Sequence, residues 1–269
     1  MCGIVGYIGK QKCVDILFEG LSRLEYRGYD SAGIAVLDGG EIGIVKAEGK
    51  LNQLKPRLSE LPAGATRGIG HTRWATHGIP NTVNAHPHTH GDVAIVHNGI
   101  IENYLELKKQ LVAEGVKFQS ETDTEVALQV FVRELAKHKN TFKAIMGVIP
   151  QLRGAFSLGI LIGSEPDAVY VVKQGSPLVI GAGRGENYFA SDAMAIVRHT
   201  SRAHFLNDGE VGRITENGVE IWDFQGNVVA PRFVELDISS ASTEKLGFKH
   251  FMLKEIHEQP RVLSGLSLV

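Results

Sequence analysis

The stretch beyond about residue 156 narrows the choice of fold most, because it consists of short apolar segments separated by turn residues. Breaks such as Glu165-Pro166-Asp167 and Glu216-Asn217-Gly218 are typical of hairpins and tight turns. Connections this short leave no room for the crossovers that parallel strands need, so the strands are predicted to be antiparallel. The predicted strands cover residues 156–162, 168–173, 178–181, 188–190, 209–214 and 219–222.

The start of the chain predicts a strand, a helix and a hairpin, in that order. Residues 2–8 form a short apolar run with two glycines, and residues 11–26 carry apolar side chains at helical spacing. Residues 34–37 and 42–46 flank Asp38-Gly39-Gly40, which is a hairpin signal.

The middle of the chain adds a helical layer. A strand is predicted at residues 93–97, and Ser120 or Thr122 is predicted to cap a helix. Two helices in series between strand-rich segments indicate helices packed on a sheet rather than a helix bundle. Further helices are predicted at residues 51–61, 100–114 and 141–152.

Composition and charge limit the classes of function that the chain can have. The chain has 269 residues, of which 43% are hydrophobic and 22% charged, as in an ordinary globular protein with a sizeable core. The net charge of -2 and the lack of a Lys/Arg block argue against nucleic acid and membrane surfaces as partners. No segment approaches the roughly 20 apolar residues of a membrane span, and no signal-peptide pattern is present. A cytoplasmic location is therefore expected.

Cys2 is the candidate nucleophile. If Met1 is removed, Cys2 carries both a thiol and a free α-amine, and the amine can accept the thiol proton directly or through one water. The alternative is that the Met-Cys-Gly start is simply the beginning of a strand. The other cysteine, Cys13, lies on the apolar face of the first helix, where a buried, inert thiol is expected rather than a disulfide.

Four further residues fit the recognition of an amino acid and its reacting amide. Arg73 has the planar fork that binds a carboxylate, although a surface salt bridge is the alternative. Asp123 could receive an ammonium group, or it could only cap its helix. Asn98 and Gly99 either form a tight turn or converge on an oxyanion with a side-chain amide and a backbone N–H.

Histidines are concentrated between residues 71 and 97, and a zinc site is the alternative they raise. None of the usual ligand spacings is present, so hydrogen bonding within an ordered loop is the preferred interpretation, and no metal is expected. A Ser/His/Asp triad is not favoured, since no serine lies in a nucleophile-elbow context.

Several segments together resemble one family. They are residues 2–6, 23–33, 71–78, 84–87, 97–103 and 121–125. This set is similar to the glutaminase domain of the glutamine:fructose-6-phosphate amidotransferases, over about residues 2–260. The tyrosine-rich turn at residues 26–29 and the loop around Trp74 differ from amidophosphoribosyltransferase and asparagine synthetase, which also begin with cysteine.

The resemblance implies an α+β fold of the N-terminal-nucleophile hydrolase type, a four-layer αββα sandwich of two antiparallel sheets between helical layers. It implies that Cys2 is the nucleophile and that Asn98 and Gly99 form the oxyanion hole, with no cofactor. Arg73 would hold the glutamine α-carboxylate and Asp123 the α-ammonium group. The remaining implied site residues are Trp74, Thr76 and His77 in the pocket, with Arg27 and His86 in supporting positions.

By the same resemblance, residues 2–238 are interpreted as a class II glutamine amidotransferase domain. Residues 239–269 are interpreted as a linker and the start of a C-terminal sugar-phosphate isomerase portion that the sequence does not contain. The chain is expected to hydrolyse L-glutamine, to meet fructose 6-phosphate only through that missing portion, and to form a homodimer in the full-length protein.

Two other functions stay open at this point. One is an N-terminal-nucleophile amidase of another substrate class, such as an acylase, which predicts turnover of amides without α-amino and α-carboxyl groups. The other is a module that senses glutamine without cleaving it, which predicts binding and no glutamate.

Overall fold

The first strand occupies the interior of a sheet. The computed structural model describes residues 2–236 and the pairs 252–253, 256–257 and 259–260. Strand β1 (Gly3–Ile8) pairs antiparallel with β4 (Arg67–Arg73) on one side and β10 (Asn187–Ala190) on the other. Because β1 has a hydrogen-bonded strand on each side, both neighbours fix its register.

The first sheet has eight strands in the order β15-β11-β9-β10-β1-β4-β2-β3. Its other members are β2 (Ser31–Asp38), β3 (Glu41–Glu48), β9 (Val179–Ala182), β11 (Arg202–Phe205) and β15 (Val234–Glu235).

The second sheet has seven strands in the order β14-β13-β12-β8-β7-β6-β5, and all its pairs are antiparallel, as predicted. They are β5 (His88–His90), β6 (Val93–Ile101), β7 (Gly154–Ile162), β8 (Val169–Gln174), β12 (Glu210–Ile214), β13 (Val219–Asp223) and β14 (Val228–Val229).

Helices cover the outer face of each sheet. Helix α1 (Cys13–Leu24) packs on the first sheet, where Gly70 makes room for it: a Cβ there would lie 2.9 Å from Leu21 Cδ1. Helices α2 (Tyr104–Ala113), α3 (Asp123–His138) and α4 (Thr141–Val148) share an apolar core with the second sheet. Cys13, the first residue of α1, is fully buried, as expected.

A second apolar core lies between the sheets, and the ring of Phe189 is central to it. A Cβ on Gly6 would lie 1.9 Å from this ring, and a Cβ on Gly159 of the other sheet would lie 2.7 Å from it. The two glycines therefore let one aromatic ring fill the gap between the layers. The expected four-layer αββα sandwich is confirmed.

Several local predictions need correction. Strand β6 continues to Ile101 and α2 begins at Tyr104, so the predicted helix at residues 100–114 starts too early. Asn98 and Gly99 are not a tight turn, since they pair with Ser157 and Phe156 inside β6. Residues 51–61 form two 3-10 turns instead of one helix. His88 and His90 belong to a strand rather than a loop.

Residues 236–269 form a unit separate from the unit that ends at Glu235. Within the later unit, the described pairs 252–253, 256–257 and 259–260 are helical. Most of the predicted linker at 239–269 lies outside the described residues, so the proposed boundary at 238 stays a prediction. Among the helices that the structure describes, none has both the length and the apolar character that crossing a membrane requires.

Candidate active site

Cys2 lies at the start of β1, at the wall of a cavity of about 280 Å³. Cys2 immediately precedes the interior strand β1 and is partly exposed. The described residues that line the cavity are Cys2, Arg27, Trp74, Thr76, Asn98, Gly99, Ile100, Ser176, Pro177 and Ser191.

The sulfur of Cys2 is held against the backbone of Trp74. The Trp74 N–H donates to Sγ at 3.2 Å, and the thiol lies 3.5 Å from the Trp74 carbonyl oxygen. Burial raises the pKa of the Cys2 thiol, while the Trp74 N–H and the charge of Arg73 act in the opposite direction. The Trp74 N–H and the charge of Arg73 both favour the thiolate, which is the reactive form of the side chain.

Residues 28–30 fix the loop that carries Trp74. Asp30 accepts a hydrogen bond from the Ala75 N–H at 2.8 Å, and its own N–H donates to the Arg73 carbonyl at 3.0 Å. Gly28 permits this approach, because a Cβ there would lie 2.8 Å from the Arg73 carbonyl carbon. The tyrosine-rich segment thus positions an N–H group on the candidate nucleophile.

Asn98 and Gly99 reach the same cavity from the second sheet. The Asn98 Nδ2 donates to the Cys2 carbonyl oxygen at 3.1 Å. Gly99 has a φ of +122°, and a Cβ there would lie 2.0 Å from the Ala155 carbonyl oxygen. Only glycine fits this backbone, so the position of its N–H group is set by the packing of β6 on β7.

Asp123 is the first residue of α3 and is 4% exposed. Helix capping is the role of Thr122, whose side chain accepts from the Glu125 N–H at 3.3 Å. The Asp123 carboxylate instead accepts from the Ile101 N–H at 3.0 Å and lies 3.8 Å from His97 Nδ1. Asp123 is thereby fixed to the end of the strand that carries Asn98.

Arg73 is 3% exposed, so the surface salt-bridge alternative is wrong. Its Nη2 donates to the carbonyl oxygens of His77 and of Gly78, the latter at 3.1 Å. Arg73 and Asp123 are not among the described residues that line the cavity, although the charges of both act on the Cys2 thiol.

Some of the other predicted site residues line the cavity, and the rest contact neighbouring side chains outside its lining. Trp74, Thr76 and Arg27 line the cavity, and Arg27 forms an ion pair with Asp192. His77 packs its ring 4.7 Å from the ring of Tyr104. His86 is buried, and its Nε2 lies 2.6 Å from Thr124 Oγ1.

Sequence reasoning missed Ser176, Pro177 and Ser191 in the cavity wall. Ser191 Oγ accepts from the Ile4 N–H at 3.0 Å, which ties the end of β10 to β1. No local pattern marks this serine. Knowing that β10 pairs with β1 would have identified it.

Four histidines form a buried layer beside these groups: His71, His86, His88 and His97. The rings of His71 and His86 stack with centroids 4.2 Å apart. Burial lowers the pKa of each of the four, that of His71 to about 3, so all are neutral near pH 7. Their hydrogen bonds go to threonine hydroxyls, a carbonyl oxygen and an amide oxygen. In the part of the chain that the structure describes, no group of three His, Cys, Asp or Glu residues is arranged to hold a metal ion.

Two antiparallel sheets between helical layers, with a thiol at the start of an interior strand and its cavity, define the N-terminal-nucleophile hydrolase class. Residues 71–198 match the family model described as a glutamine amidotransferase domain. The chain is thus similar to glutamine amidotransferase domains over somewhat less than half of its length.

Relatives extend the match beyond that domain. The chain is 50% identical over 266 residues to a glutamine--fructose-6-phosphate aminotransferase (isomerizing) of Gloeobacter violaceus, covering 98% of this chain and 44% of the relative. It is 47% identical to the protein of the same name in Aquifex aeolicus, covering 98% and 45%. The chain therefore spans less than half the length of these relatives.

Solved structures agree on the fold. A glutamine phosphoribosylpyrophosphate amidotransferase from B. subtilis matches with a TM-score of 0.73 and 28% identity, over 84% of this chain and 50% of that one. A glutamine aminotransferase class-II domain protein from Silicibacter pomeroyi matches with a TM-score of 0.56 and 16% identity, over 83% and 99% of the two chains. The second likeness concerns the fold alone.

Proposed function

We propose that the chain hydrolyses L-glutamine to glutamate and ammonia, with Cys2 as the nucleophile. The observation that carries this proposal is that Cys2 and the Asn98 amide line one cavity, and that Asn98 Nδ2 lies 3.1 Å from the Cys2 carbonyl oxygen. A thiol and a side-chain N–H donor from opposite sheets thus meet where an amide carbonyl would be attacked.

The chemistry begins with removal of Met1, which frees the α-amine of Cys2. The amine takes the thiol proton, and the thiolate attacks the γ-carboxamide carbon to give a tetrahedral oxyanion. Asn98 Nδ2 and the Gly99 N–H stabilise that oxyanion. The proton passes to the departing nitrogen, ammonia leaves, and water hydrolyses the γ-glutamyl thioester through a second oxyanion to release glutamate.

Arg73 and Asp123 would recognise the amino-acid end of glutamine. A guanidinium group binds a carboxylate through two parallel hydrogen bonds, and the buried Asp123 carboxylate offers a counter-charge for the ammonium group. Arg73 Nη2 is occupied by the carbonyl oxygens of His77 and Gly78, so the substrate carboxylate must replace those contacts. Trp74, Thr76 and His77 belong to the loop that would shift, while Arg27 and His86 support the cavity.

The names of the relatives indicate which acceptor would receive the ammonia. We infer that the chain supplies nitrogen to fructose 6-phosphate, giving glucosamine 6-phosphate for hexosamine and amino-sugar synthesis, through a sugar-phosphate isomerase portion outside this sequence. A homodimer of the full-length protein and a cytoplasmic location belong to the same proposal.

The test combines mass with activity. Intact-mass measurement should find Met1 removed, and ammonia release from glutamine should disappear in Cys2→Ala but persist in the matched control Cys13→Ala, which removes a buried thiol at the start of α1. Retained Met1 in an active preparation, or undiminished ammonia release by Cys2→Ala, would remove the mechanism. Acyl amides without α-amino and α-carboxyl groups should not be turned over.

A further inference from the structure

We propose that His71 is a positioning residue that sets which end of the Asn98 side-chain amide faces the Cys2 cavity. The inference rests on the proposed function, in which Asn98 donates a hydrogen bond to the oxyanion. His71 does not line the cavity and is fully buried, so it would act through Asn98.

The contacts of one ring nitrogen determine the tautomer. His71 Nε2 lies 2.9 Å from the His97 carbonyl oxygen and 3.1 Å from Asn98 Oδ1. A backbone carbonyl oxygen only accepts, so Nε2 must carry the hydrogen. His71 Nδ1 is buried without a hydrogen-bond partner among the described residues, which fits its bare lone pair in a neutral ring.

A fixed N–H donor on His71 then fixes the amide of Asn98. With its oxygen toward His71, Asn98 accepts from Nε2–H and directs its NH2 group to the Cys2 side, where Nδ2 lies 3.1 Å from the Cys2 carbonyl oxygen. The flipped amide would place NH2 against Nε2–H and lose both hydrogen bonds. It would also present an oxygen to the developing oxyanion.

The arrangement joins the two halves of the site. His71 lies in β4 of the first sheet and pairs with Ile4 of β1, the strand that begins next to Cys2. Its hydrogen bonds cross to His97 and Asn98 in β6 of the second sheet. The same ring therefore connects the sheet that carries the nucleophile to the oxyanion donor and sets the orientation of that donor's amide.

The mutational test uses His71→Phe, which keeps a stacked ring but removes the donor. The expected result is a fall in kcat for glutamine hydrolysis of about 10- to 10³-fold, the upper limit being the loss of a whole oxyanion donor. KM for glutamine should change less than about threefold, and Cys2 should react with iodoacetamide at the wild-type rate, because alkylation forms no oxyanion. His71→Gln, whose amide N–H can replace the imidazole donor, should recover much of the lost kcat.

A double-mutant cycle with Asn98→Ala separates positioning from a general structural role. If His71 acts through Asn98, the His71→Phe/Asn98→Ala protein should be no slower than Asn98→Ala alone. His88→Phe is the matched control, because His88 belongs to the same buried layer but hydrogen-bonds Thr122. Its kcat should stay within about threefold of wild type.

Several results would overturn the proposal: a His71→Phe kcat within twofold of wild type, effects that multiply in the double variant, or loss of Cys2 alkylation in His71→Phe. Failure of the proposed function is a different outcome, since the wild-type protein would then release no ammonia. Nitrogen-15 NMR of histidine-labelled wild-type protein needs no variant to fold. It should show His71 as the Nε2–H tautomer, and an Nδ1–H tautomer would contradict the inference.

Discussion

The Trp74 backbone N–H points at Cys2 Sγ from 3.2 Å, although the two residues are 72 positions apart in sequence. This hydrogen bond works against the burial that raises the pKa of the thiol. It depends on a loop that Asp30 fastens through the Ala75 N–H. The reactivity of Cys2 should therefore respond to a side chain that does not touch the sulfur.

Asp30→Ala should slow the alkylation of Cys2 at a fixed pH near 7, because a loosened loop weakens the N–H contact and leaves the thiol pKa further above its ordinary value. The rate should recover as the pH is raised, since more thiolate forms. Iodoacetamide labelling followed by mass spectrometry, in a Cys13→Ala background, measures this. Asp38→Ala, in the exposed hairpin between β2 and β3, is the control, and equal rates in the two variants would contradict the prediction.

Arg73→Lys should raise KM for glutamine roughly 10- to 100-fold, because an ammonium group cannot replace two parallel, charge-assisted hydrogen bonds. The change in kcat should be smaller, since Arg73 is proposed to bind the α-carboxylate and not the reacting amide. Steady-state ammonia release measures both constants. Arg57→Lys, which alters a surface ion pair with Glu60, should leave them unchanged, and an unchanged KM in Arg73→Lys would exclude the carboxylate assignment.

Gly99→Ala should destabilise the fold and lower kcat together. Gly91→Ala is the matched control, because Gly91 also has a positive φ, +58°, but a Cβ there meets nothing within 4 Å. The control should cost about 1–3 kcal/mol of backbone strain, and Gly99→Ala should cost more, since its Cβ would lie 2.0 Å from the Ala155 carbonyl oxygen. Urea unfolding compares the two, and equal losses would show that the close contact relaxes freely.

Acid should destabilise the protein through its buried histidines. In the unfolded chain these groups take up protons near pH 6.5, whereas the folded pKa of His71 is about 3 and those of His86, His88 and His97 are also lowered. The stability that these groups contribute by staying neutral in the folded protein is therefore fully present above about pH 6.5. Each group removes up to about 1.4 kcal/mol per pH unit as the pH falls below that value. Urea unfolding at pH 7.5 and pH 5.5 measures the loss, and His88→Phe should make it smaller; an identical pH dependence in that variant would argue against the effect.

Local sequence patterns predicted the structure correctly where interactions between residues near in sequence determine it. Short connections predicted the antiparallel strands after residue 156, and Thr122 was one of two residues named as the cap of α3. Strand β4 was missed because Arg67–Arg73 has one large apolar residue, Ile69, among glycines and polar residues, and its burial comes from α1 and from its neighbours. Asn98-Gly99 carries the same local signal as a hairpin turn, and only its pairing with β7 decides between the two.

Five of the residues implied by family resemblance line the cavity with Cys2, namely Arg27, Trp74, Thr76, Asn98 and Gly99, but the contacts of the whole set were not predictable from the sequence. Nothing in the order of residues indicates that Arg73 donates to carbonyl oxygens of its own loop, or that Asp123 is fixed by the Ile101 N–H. Those contacts depend on how two sheets and a helix approach one another. Ser191 joins the cavity for the same reason.

The ring of Phe189, enclosed by Gly6 and Gly159, has a consequence for catalysis. Cys2 is attached to one sheet and the Asn98 amide to the other, so the thickness of that single ring helps to determine how far apart sulfur and amide stand. Trimming Phe189 or enlarging either glycine would change the spacing of the reacting groups without touching any of them. The size of this aromatic ring is therefore one determinant of the geometry of the active site.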